Sequence, residues 1–307
     1  MNHEVRRGRG PWPATNREAT VYAWLCDRLA NVEEDERLAM ARWMLDHASS
    51  RTKGQRLVDA YLWNESELDR LAVWAERVSG GEPLQHVLGV AHFDGLTLEV
   101  NPHVLIPRPE TEELVAAVAE RVSGVGAAQV VVDWCTGSGC MALALKRRRP
   151  NAVVVGLDVS REALEVARRN AAHACLNVEF QWNDLRDPAP TLLGSGRALG
   201  AADVVVANPP YIPASEASRM ASRVTRHEPH LALFVPDDDP LCFVHALWTW
   251  CEAGGVKDNG WVGVECHTEW ATSVAAEWRT RQGWVDVQVL RDLQGLERHV
   301  LARRKLP

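Results

Sequence analysis

The sequence contains no run of eighteen apolar residues, and its first residues lack the apolar segment that a secretory signal needs. We therefore expect no membrane span and no export signal. The first seventeen residues carry four arginines together with glycine and proline. Because this composition suits a frayed end better than an amphipathic helix, we interpret residues 1–18 as a flexible tail.

Metal-binding patterns are missing as well. The seven cysteines include no Cys-x-x-Cys pair, and their odd number favours a reducing compartment over a disulfide framework. His227 and His230 bracket Pro229, which denies them a shared helical face. The sequence therefore predicts no metal cofactor and a cytoplasmic protein.

A surplus of positive charge is the third absence. Lysine and arginine number 34 against 41 aspartates and glutamates, which gives a net charge of −7. This balance opposes direct, extended nucleic-acid binding, because a phosphate backbone is bound by basic surfaces. The thirteen tryptophans are dispersed along the chain, which indicates core and interface residues rather than a base-stacking platform. We expect a protein or a small molecule as the substrate.

The hydrophobic pattern of the 307 residues predicts two domains. Within 19–88 the apolar residues recur at helical spacing, which predicts a small helical domain. Asp94 and Gly95, between β-prone residues, predict a hairpin, and we interpret 89–106 as a hairpin linker. The remaining stretch, 107–307, is expected to form a second, larger domain.

The larger region alternates between strand and helix patterns from residue 130 onward. Short apolar runs such as 130–133 and 153–158 are separated by helical segments, which predicts a doubly wound parallel sheet. Near the carboxyl end, the strands expected over 285–290 and 299–302 are too close in sequence for a helical crossover. We therefore expect an antiparallel strand pair at one edge of an α/β, Rossmann-like sheet.

The tetrapeptide Asn208-Pro209-Pro210-Tyr211 directly follows an apolar run that is typical of a buried parallel strand. It therefore falls at the carboxyl end of a strand, where open α/β sheets bind their ligands. The prolines offer carbonyl acceptors without N–H donors, and the first of them holds Asn208 extended. The ring of Tyr211 can cover a flat group. These properties suit a planar substrate with an NH2 group, either an amide or an exocyclic base amine.

A glycine-rich loop over 133–139 joins the first strand of the sheet to its helix. Glycines let the backbone approach a ligand, and the helix N-terminus supplies free N–H groups. Gly137 and Gly139, with Asp158 about twenty residues on, fit either a dinucleotide or S-adenosylmethionine. The tetrapeptide favours the methyl donor, because a dehydrogenase has no use for it. Asp184, after the third strand, can accept a hydrogen bond from an adenine amino group.

Over nearly its full length, the chain resembles the glutamine N5-methyltransferases that modify class I peptide chain release factors. The stretch Pro-Arg-Pro-Glu-Thr-Glu at 107–112, combined with the Asn-Pro-Pro-Tyr tetrapeptide, is highly specific for that family, whereas either alone is not. The other segments that carry the resemblance are 81–85, 89–93, 104–106, 113–115, 135–139, 227–229 and 232–233.

The resemblance implies a class I S-adenosylmethionine-dependent methyltransferase domain, preceded by a helical substrate-binding domain and a β-hairpin linker. It implies S-adenosylmethionine as cofactor, S-adenosylhomocysteine as product, and a class I release factor as substrate at the glutamine of its Gly-Gly-Gln motif. We expect a monomer. The residues that would contact the cofactor are Cys135, Thr136, Gly137, Ser138, Gly139, Asp158, Asp184, Leu185 and Asn208.

The resemblance also assigns catalytic and substrate-binding roles. Asn208, Pro209, Pro210 and Tyr211 would hold the glutamine and form the catalytic group. We expect the Asn208 oxygen and the Pro209 carbonyl to accept the two amide hydrogens while Tyr211 packs on the amide plane. The residues that could line the peptide entrance are Arg108, Glu110 and Glu112, although a salt-bridged start to a helix fits these charges equally well.

Cys135, Leu185 and the segment 234–239, where the family is richer in glycine, depart from the family pattern, and three alternatives stay open. Cys135 stands where many members have glycine, and Leu185 stands where an aromatic residue can flank the adenine. The sister family that methylates a glutamine of a large-subunit ribosomal protein shares the Cys-Thr-Gly-Ser-Gly-Cys and His-Glu-Pro motifs, but its motif before the catalytic domain differs. A nucleic-acid amino-methyltransferase should carry a basic recognition region. A cofactor-binding adaptor without activity is the third alternative.

Overall fold

A computed structural model describes residues 12–121, 129–188 and 201–305. Most of the predicted tail over 1–18 lies outside these ranges. Within them, no helix has both the length and the apolar character needed to cross a membrane. The helices are α1 (Glu18–Arg28), α2 (Glu34–Ser49), α3 (Lys53–Val58), α4 (Glu65–Ser79), α5 (Leu84–Leu88), α6 (Pro109–Arg121), α7 (Cys140–Arg148), α8 (Arg161–His173), α9 (Ser222–His227), α10 (Cys242–Trp250) and α11 (Ala271–Thr280). The strands are β1 (Val90–Phe93), β2 (Leu96–Glu99), β3 (Val130–Trp134), β4 (Val153–Asp158), β5 (Glu179–Trp182), β6 (Ala202–Ala207), β7 (Ile212–Pro213), β8 (Phe234–Val235), β9 (Val256–Glu265), β10 (Trp284–Arg291) and β11 (Glu297–Arg304).

The chain divides into two compact units. The smaller unit holds the chain up to Gly89 together with the short helix α9. The larger unit holds Val90–Ala221 and the chain from Glu228 onward. The hairpin that we interpreted as a linker therefore groups with the larger unit.

The smaller unit is helical, and its apolar core comes from α1, α2 and α4. Leu25, Met44 and Leu71, one from each of these helices, are fully buried. The unit also buries the guanidinium of Arg56, which bonds to Glu18 Oε1 at 2.9 Å and to Asp46 Oδ1 at 2.7 Å. Such pairing is what allows a charged side chain to be buried.

The larger unit is built on a seven-stranded sheet in the order β10-β11-β9-β6-β3-β4-β5. Strands β3, β4, β5, β6 and β9 are parallel, and β11 runs antiparallel to both β9 and β10. The predicted Rossmann-like sheet with an antiparallel carboxyl-terminal pair is confirmed. The connections from β3 lead first to β4 and β5 on one side and then to β6 and β9 on the other. The ends of β3 and β6 therefore form the switch point at which such sheets bind ligands.

The run of valines in β6 follows from its central place in this sheet. Val205 belongs to one apolar cluster, and Val204 and Val206 belong to the other. A parallel strand that is covered on both faces has a nearly continuous apolar sequence, because neither face meets water. Burial of both faces holds β6 in place, so the residue that follows it, Asn208, starts from a fixed point.

The hairpin and the glycine-rich loop are joined by a buried asparagine. Strands β1 and β2 pair across Asp94 and Gly95, which have φ values of 45° and 71°, so the predicted hairpin is confirmed. Asn170 of α8 accepts the Glu99 N–H at 2.6 Å and donates to the Ser138 carbonyl at 2.9 Å. The end of the hairpin and the loop after β3 are thus held by one side chain.

Candidate active site

A cleft of about 1020 Å³, a volume that includes its opening to solvent, lies at the carboxyl ends of β3, β4 and β6. All residues predicted to contact the cofactor line it except Gly139. A Cβ atom at Gly139 would lie 3.0 Å from the ring of Phe180, so this position supports the loop from behind. The predicted residues in the lining are Cys135, Thr136, Gly137, Ser138, Asp158, Asp184, Leu185 and Asn208.

Asp158, the last residue of β4, holds the glycine-rich loop. Its Oδ2 atom accepts the Gly137 N–H at 2.9 Å, and its Oδ1 atom accepts the Ser160 N–H at 2.9 Å. Gly137 has a φ of 54°, and a Cβ atom there would meet nothing within 4 Å. The backbone therefore borders an open cradle at the N-terminus of α7. A cradle of this kind beside a strand-end carboxylate fits the nucleoside and amino-acid parts of S-adenosylmethionine.

Asp133 stabilises the same loop from within the core. Its Oδ2 atom accepts the Thr136 hydroxyl at 2.6 Å and the Ala142 N–H at 3.0 Å, and its carboxyl group is fully buried. Burial raises the pKa of Asp133 to about 7 because the charged form loses its hydration. Folding therefore takes up a proton at Asp133 between about pH 4 and pH 7.

This protonation predicts a pH-dependent stability. The pKa is higher in the folded protein, so the stabilisation is complete at low pH and is lost as the pH rises through about 7. At pH 8 we expect the unfolding free energy of Asp133→Asn to exceed that of the wild type by up to about 4 kcal/mol. At pH 4 the two unfolding free energies should differ much less. Urea unfolding at both pH values measures this gap, and an equal gap at the two values would contradict the assignment.

Cys135 occupies its glycine-like position in a left-handed conformation. Its φ is 58°, which costs a residue with a side chain about 1–2 kcal/mol and explains why glycine suits this place. Burial, with Asp158 and Asp133 nearby, holds the pKa of the Cys135 thiol well above its usual value. The thiolate is the nucleophilic form of cysteine. The neutral thiol therefore lines the cleft without competing for a methyl group.

An aromatic ring reaches the cleft from α10 rather than from position 185. Leu185 belongs to an apolar cluster of the core and also lines the cleft. Phe243 lines the same cleft, and the Arg186 guanidinium lies 5.4 Å from the centre of its ring. Arg186 is itself paired with Asp184 Oδ2 at 3.1 Å. The cleft thus has an aromatic wall that no local sequence motif indicates.

The tetrapeptide leaves β6 at the cleft and places Asn208 and Pro210 in its lining. Pro209 and Tyr211 are not part of the lining that the described residues form. The Tyr211 hydroxyl instead donates to Glu265 Oε1 at 3.1 Å, and burial together with Glu265 raises the pKa of this phenol. We predicted that the Tyr211 ring covers the substrate. The structure shows its hydroxyl tying the tetrapeptide to the end of β9.

Two groups behind Asn208 were missed by the sequence reasoning. The Asn208 Nδ2 atom donates to Thr111 Oγ1 at 3.2 Å, and the Thr111 hydroxyl donates to Glu265 Oε2 at 2.7 Å. Thr111 lies inside a recognised motif, but nothing in the motif indicates its partner. The available signal for Glu265 was an acidic residue at the end of an otherwise apolar strand, which is where catalytic groups of such sheets lie.

The three residues predicted for the peptide entrance are placed differently. Arg108 lines the cleft, whereas Glu110 and Glu112 lie on the first turn of α6 and outside the lining formed by the described residues. A buried carboxylate fixes Arg108: Glu228 Oε1 accepts Arg108 Nη2 at 2.5 Å, and Glu228 Oε2 accepts the Ile106 N–H at 3.0 Å. Arg108 therefore places a cation at the cleft wall, where its salt bridge to Glu228 fixes its position.

Glu228 is expected to be important for stability. Replacing it with alanine leaves the buried Ile106 N–H without its acceptor, so we expect Glu228→Ala to lower the unfolding free energy by about 1–3 kcal/mol. The matched control is Glu99→Ala, which breaks the more exposed pair with Arg169 and should cost less than about 1 kcal/mol. Urea unfolding measures both. Equal losses in the two variants would show that Glu228 has no special structural role.

The sheet, the loop held by its strand-end aspartate, and the adjoining Asn-Pro-Pro-Tyr segment define a class I S-adenosylmethionine-dependent methyltransferase. Comparison with known proteins places the chain within that class. Residues 20–89 match the PrmC N-terminal domain, and residues 111–229 match the Methyltransferase small domain.

Three curated relatives share the name release factor glutamine methyltransferase. The one from Thermosynechococcus vestitus is 39% identical over 75% of this chain and 76% of that protein. The one from Mycolicibacterium smegmatis is 42% identical over 72% and 75%, and the one from Neisseria gonorrhoeae is 36% identical over 86% and 92%. The chain therefore belongs to the release factor glutamine methyltransferase family, as its motifs predict, and its cofactor is S-adenosylmethionine.

Proposed function

We propose that this protein transfers the methyl group of S-adenosylmethionine to the side-chain amide nitrogen, N5, of a glutamine in a class I peptide chain release factor. One observation carries the proposal: Asn208 and the loop held by Asp158 line the same cleft. A group suited to holding an amide thus lies beside a cradle suited to the methyl donor. The relatives named for this activity support the choice of substrate.

The chemical problem is the weak nucleophilicity of an amide nitrogen, whose lone pair is delocalised. The protein therefore has to fix geometry. We propose that Asn208, which lines the cleft, accepts one amide hydrogen through Oδ1, and that the carbonyl of Pro209, which adjoins the lining formed by the described residues without being part of it, accepts the other. The two acceptors direct the nitrogen lone pair towards the cofactor side of the cleft. Such positioning can lower the barrier by roughly 7–11 kcal/mol without any strong base.

The atoms balance without an additional reactant. When bound, S-adenosylmethionine supplies a methyl group on a sulfonium, so the N–C bond forms as the S–C bond breaks and its electron pair returns to sulfur. The methylated nitrogen then loses its surplus proton to water. Asn208 Oδ1 and the Pro209 carbonyl each hold one of the two amide protons, and one of these two protons is the one that leaves.

The two units are proposed to divide the work. We assign recognition of the release factor to the helical region 19–88, which contains the match to the PrmC N-terminal domain, and the chemistry to 107–307, with the hairpin region 89–106 between them. We further propose that the protein acts as a monomer in the cytoplasm, where its substrate is made.

The proposal is tested by locating the methyl group. The protein is incubated with labelled S-adenosylmethionine and either a class I release factor or the large-subunit ribosomal protein, and the products are digested for peptide mass spectrometry. We expect one methyl group on one glutamine of the release factor. Methylation of the ribosomal protein alone would assign the sister activity, and methylation of neither would contradict glutamine transfer altogether.

A further inference from the structure

A chain of buried and half-buried hydrogen bonds connects Asn208 to Glu265. From the cleft inward, Asn208 Nδ2 is 3.2 Å from Thr111 Oγ1, and Thr111 Oγ1 is 2.7 Å from Glu265 Oε2. The second oxygen of Glu265 accepts the Tyr211 hydroxyl at 3.1 Å. Thr111, which also lines the cleft, is 2% exposed and Glu265 is 1% exposed, so the bond between these two side chains is shielded from water.

The donors and acceptors in this chain allow one arrangement. Both oxygens of Glu265 accept a hydrogen bond, one from the Tyr211 hydroxyl and one from the Thr111 hydroxyl. Thr111 has a single hydroxyl proton, and once that proton is used its oxygen can only accept. Asn208 must then offer its NH2 group to Thr111. The Oδ1 atom is then the end of the amide that is not used by Thr111, and Asn208 lines the cleft.

The Arg298 guanidinium lies near Glu265. Burial alone would lower the pKa of the Arg298 guanidinium, but its bond to Asp292 and the nearby Tyr211 and Glu265 raise it. The cation therefore persists near the carboxylate. His299, the register partner of Glu265 on β11, places Nε2 3.8 Å from Glu265 Oε2.

We propose that Glu265 is a positioning residue that acts through Thr111 to fix the polarity of the Asn208 amide, so that an acceptor and not a donor faces the substrate. The inference rests on the proposed function, because an acceptor is what the NH2 group of a glutamine requires. With the amide turned around, the Asn208 NH2 group would face the substrate NH2 group, and two donors cannot bond to each other.

Glu265→Gln is the most direct test, because glutamine has the same shape but can donate. Its NH2 group can bond to Thr111 Oγ1, which releases the Thr111 proton to Asn208 and permits the wrong orientation. We expect kcat for release-factor methylation to fall about 10²-fold while the dissociation constant of S-adenosylhomocysteine stays within about twofold. Equal losses in both quantities, or an unchanged kcat, would overturn the proposal.

Variants of Thr111 separate polarity from general packing. Thr111→Ser keeps the hydroxyl and should retain most of the activity. Thr111→Val keeps the shape, loses the hydroxyl and should lose kcat about as far as Glu265→Gln does. Because both act through one chain of bonds, the double variant should lose little more than either alone. Full activity in Thr111→Val, or losses that multiply, would show that the chain of bonds does not act as a unit.

A matched control removes a charge outside this chain of bonds. Glu113 lies two residues after Thr111 and accepts the Leu293 N–H at 3.2 Å. We expect Glu113→Gln to keep kcat within about twofold of the wild type. A loss in this variant equal to that of Glu265→Gln would show a general charge effect and would overturn the specific role. Thermal unfolding of every variant verifies that it is folded.

A binding measurement tests which end of the Asn208 amide faces the substrate. Calorimetry compares the release factor with its variant in which the target glutamine is replaced by glutamate, each added to the protein bound to S-adenosylhomocysteine. The wild type should prefer glutamine, because Asn208 offers an acceptor, and Glu265→Gln should shrink that preference about tenfold. A preference that Glu265→Gln leaves unchanged overturns the polarity proposal.

Binding of the two release-factor forms to the wild type separates the role of Asn208 from the proposed function. If the wild type binds both forms of the release factor equally, Asn208 is not the glutamine clamp, whereas the proposed function fails only if no glutamine is methylated. The side-chain amide signal of Asn208 in nuclear magnetic resonance then still reports on its bond to Thr111 without any substrate. We expect its NH2 protons to be protected from exchange in the wild type and exposed in Thr111→Val; equal exchange would refute the bond to Thr111.

Discussion

Replacing Asn208 with alanine is expected to lower kcat by about 10²–10³-fold, because it removes the acceptor that holds the substrate amide. Binding of S-adenosylhomocysteine should change by less than about twofold, since the loop and Asp158 remain intact. Single-turnover methylation of the release factor measures the first quantity, and calorimetry measures the second. The separation of the two effects is what identifies Asn208 as a substrate group.

The control for this variant is another asparagine of the same unit. Asn259 accepts a bond from Arg303 Nη1 at 3.0 Å and is not among the described residues that line the cleft, so Asn259→Ala should leave both quantities unchanged. If Asn208→Ala weakens cofactor binding as strongly as it lowers kcat, Asn208 belongs to the cofactor site, where the family resemblance also places it. In that case the glutamine clamp must be built from other groups.

Sequence alone could predict the parts of the site that are local. The glycine-rich loop, Asp158 and the tetrapeptide each directly follow a buried strand or end it, and the carboxyl ends of parallel strands meet at one edge of the sheet. Once the order of the strands is predicted, these residues are predicted to lie together at that edge. The same reasoning explains why the antiparallel carboxyl-terminal pair was predicted, because its connection is too short for a crossover helix.

The contacts that set orientation could not be predicted in this way. Thr111 and Glu265 are 154 residues apart, and Arg108 and Glu228 are 120 apart. Bonds of this kind depend on helix placement and on side-chain direction, which hydrophobic periodicity does not encode. Tyr211 shows the consequence: its aromatic ring indicated stacking, but the structure adds a hydroxyl bond to a buried acid. Phe243 likewise reaches the cleft from a helix that carries no cofactor motif.

Replacing Asp158 with alanine is expected to weaken cofactor binding by about 1.5–3 kcal/mol, or roughly 10- to 150-fold in the dissociation constant. The carboxylate has two tasks in the structure. Its oxygens accept the N–H groups of Gly137 and Ser160, and it lines the cleft where ribose hydroxyls can donate to it. Alanine removes both the support of the loop and the acceptor for the ligand. Calorimetry with S-adenosylmethionine and S-adenosylhomocysteine measures the loss.

The same carboxylate predicts how cofactor binding responds to acid. Burial raises the pKa of Asp158 above its usual value, although bonds from the Ser160 and Gly137 N–H groups oppose the shift. The ionised form is the acceptor, so affinity should fall as the pH drops through this raised pKa, earlier than an exposed aspartate would allow. Asp158→Ala should lack that dependence. Asp237→Ala, which removes an acid outside the cleft lining, should keep it. An affinity that is unchanged in Asp158→Ala, or an acid response that survives in it, would assign ribose recognition to another residue.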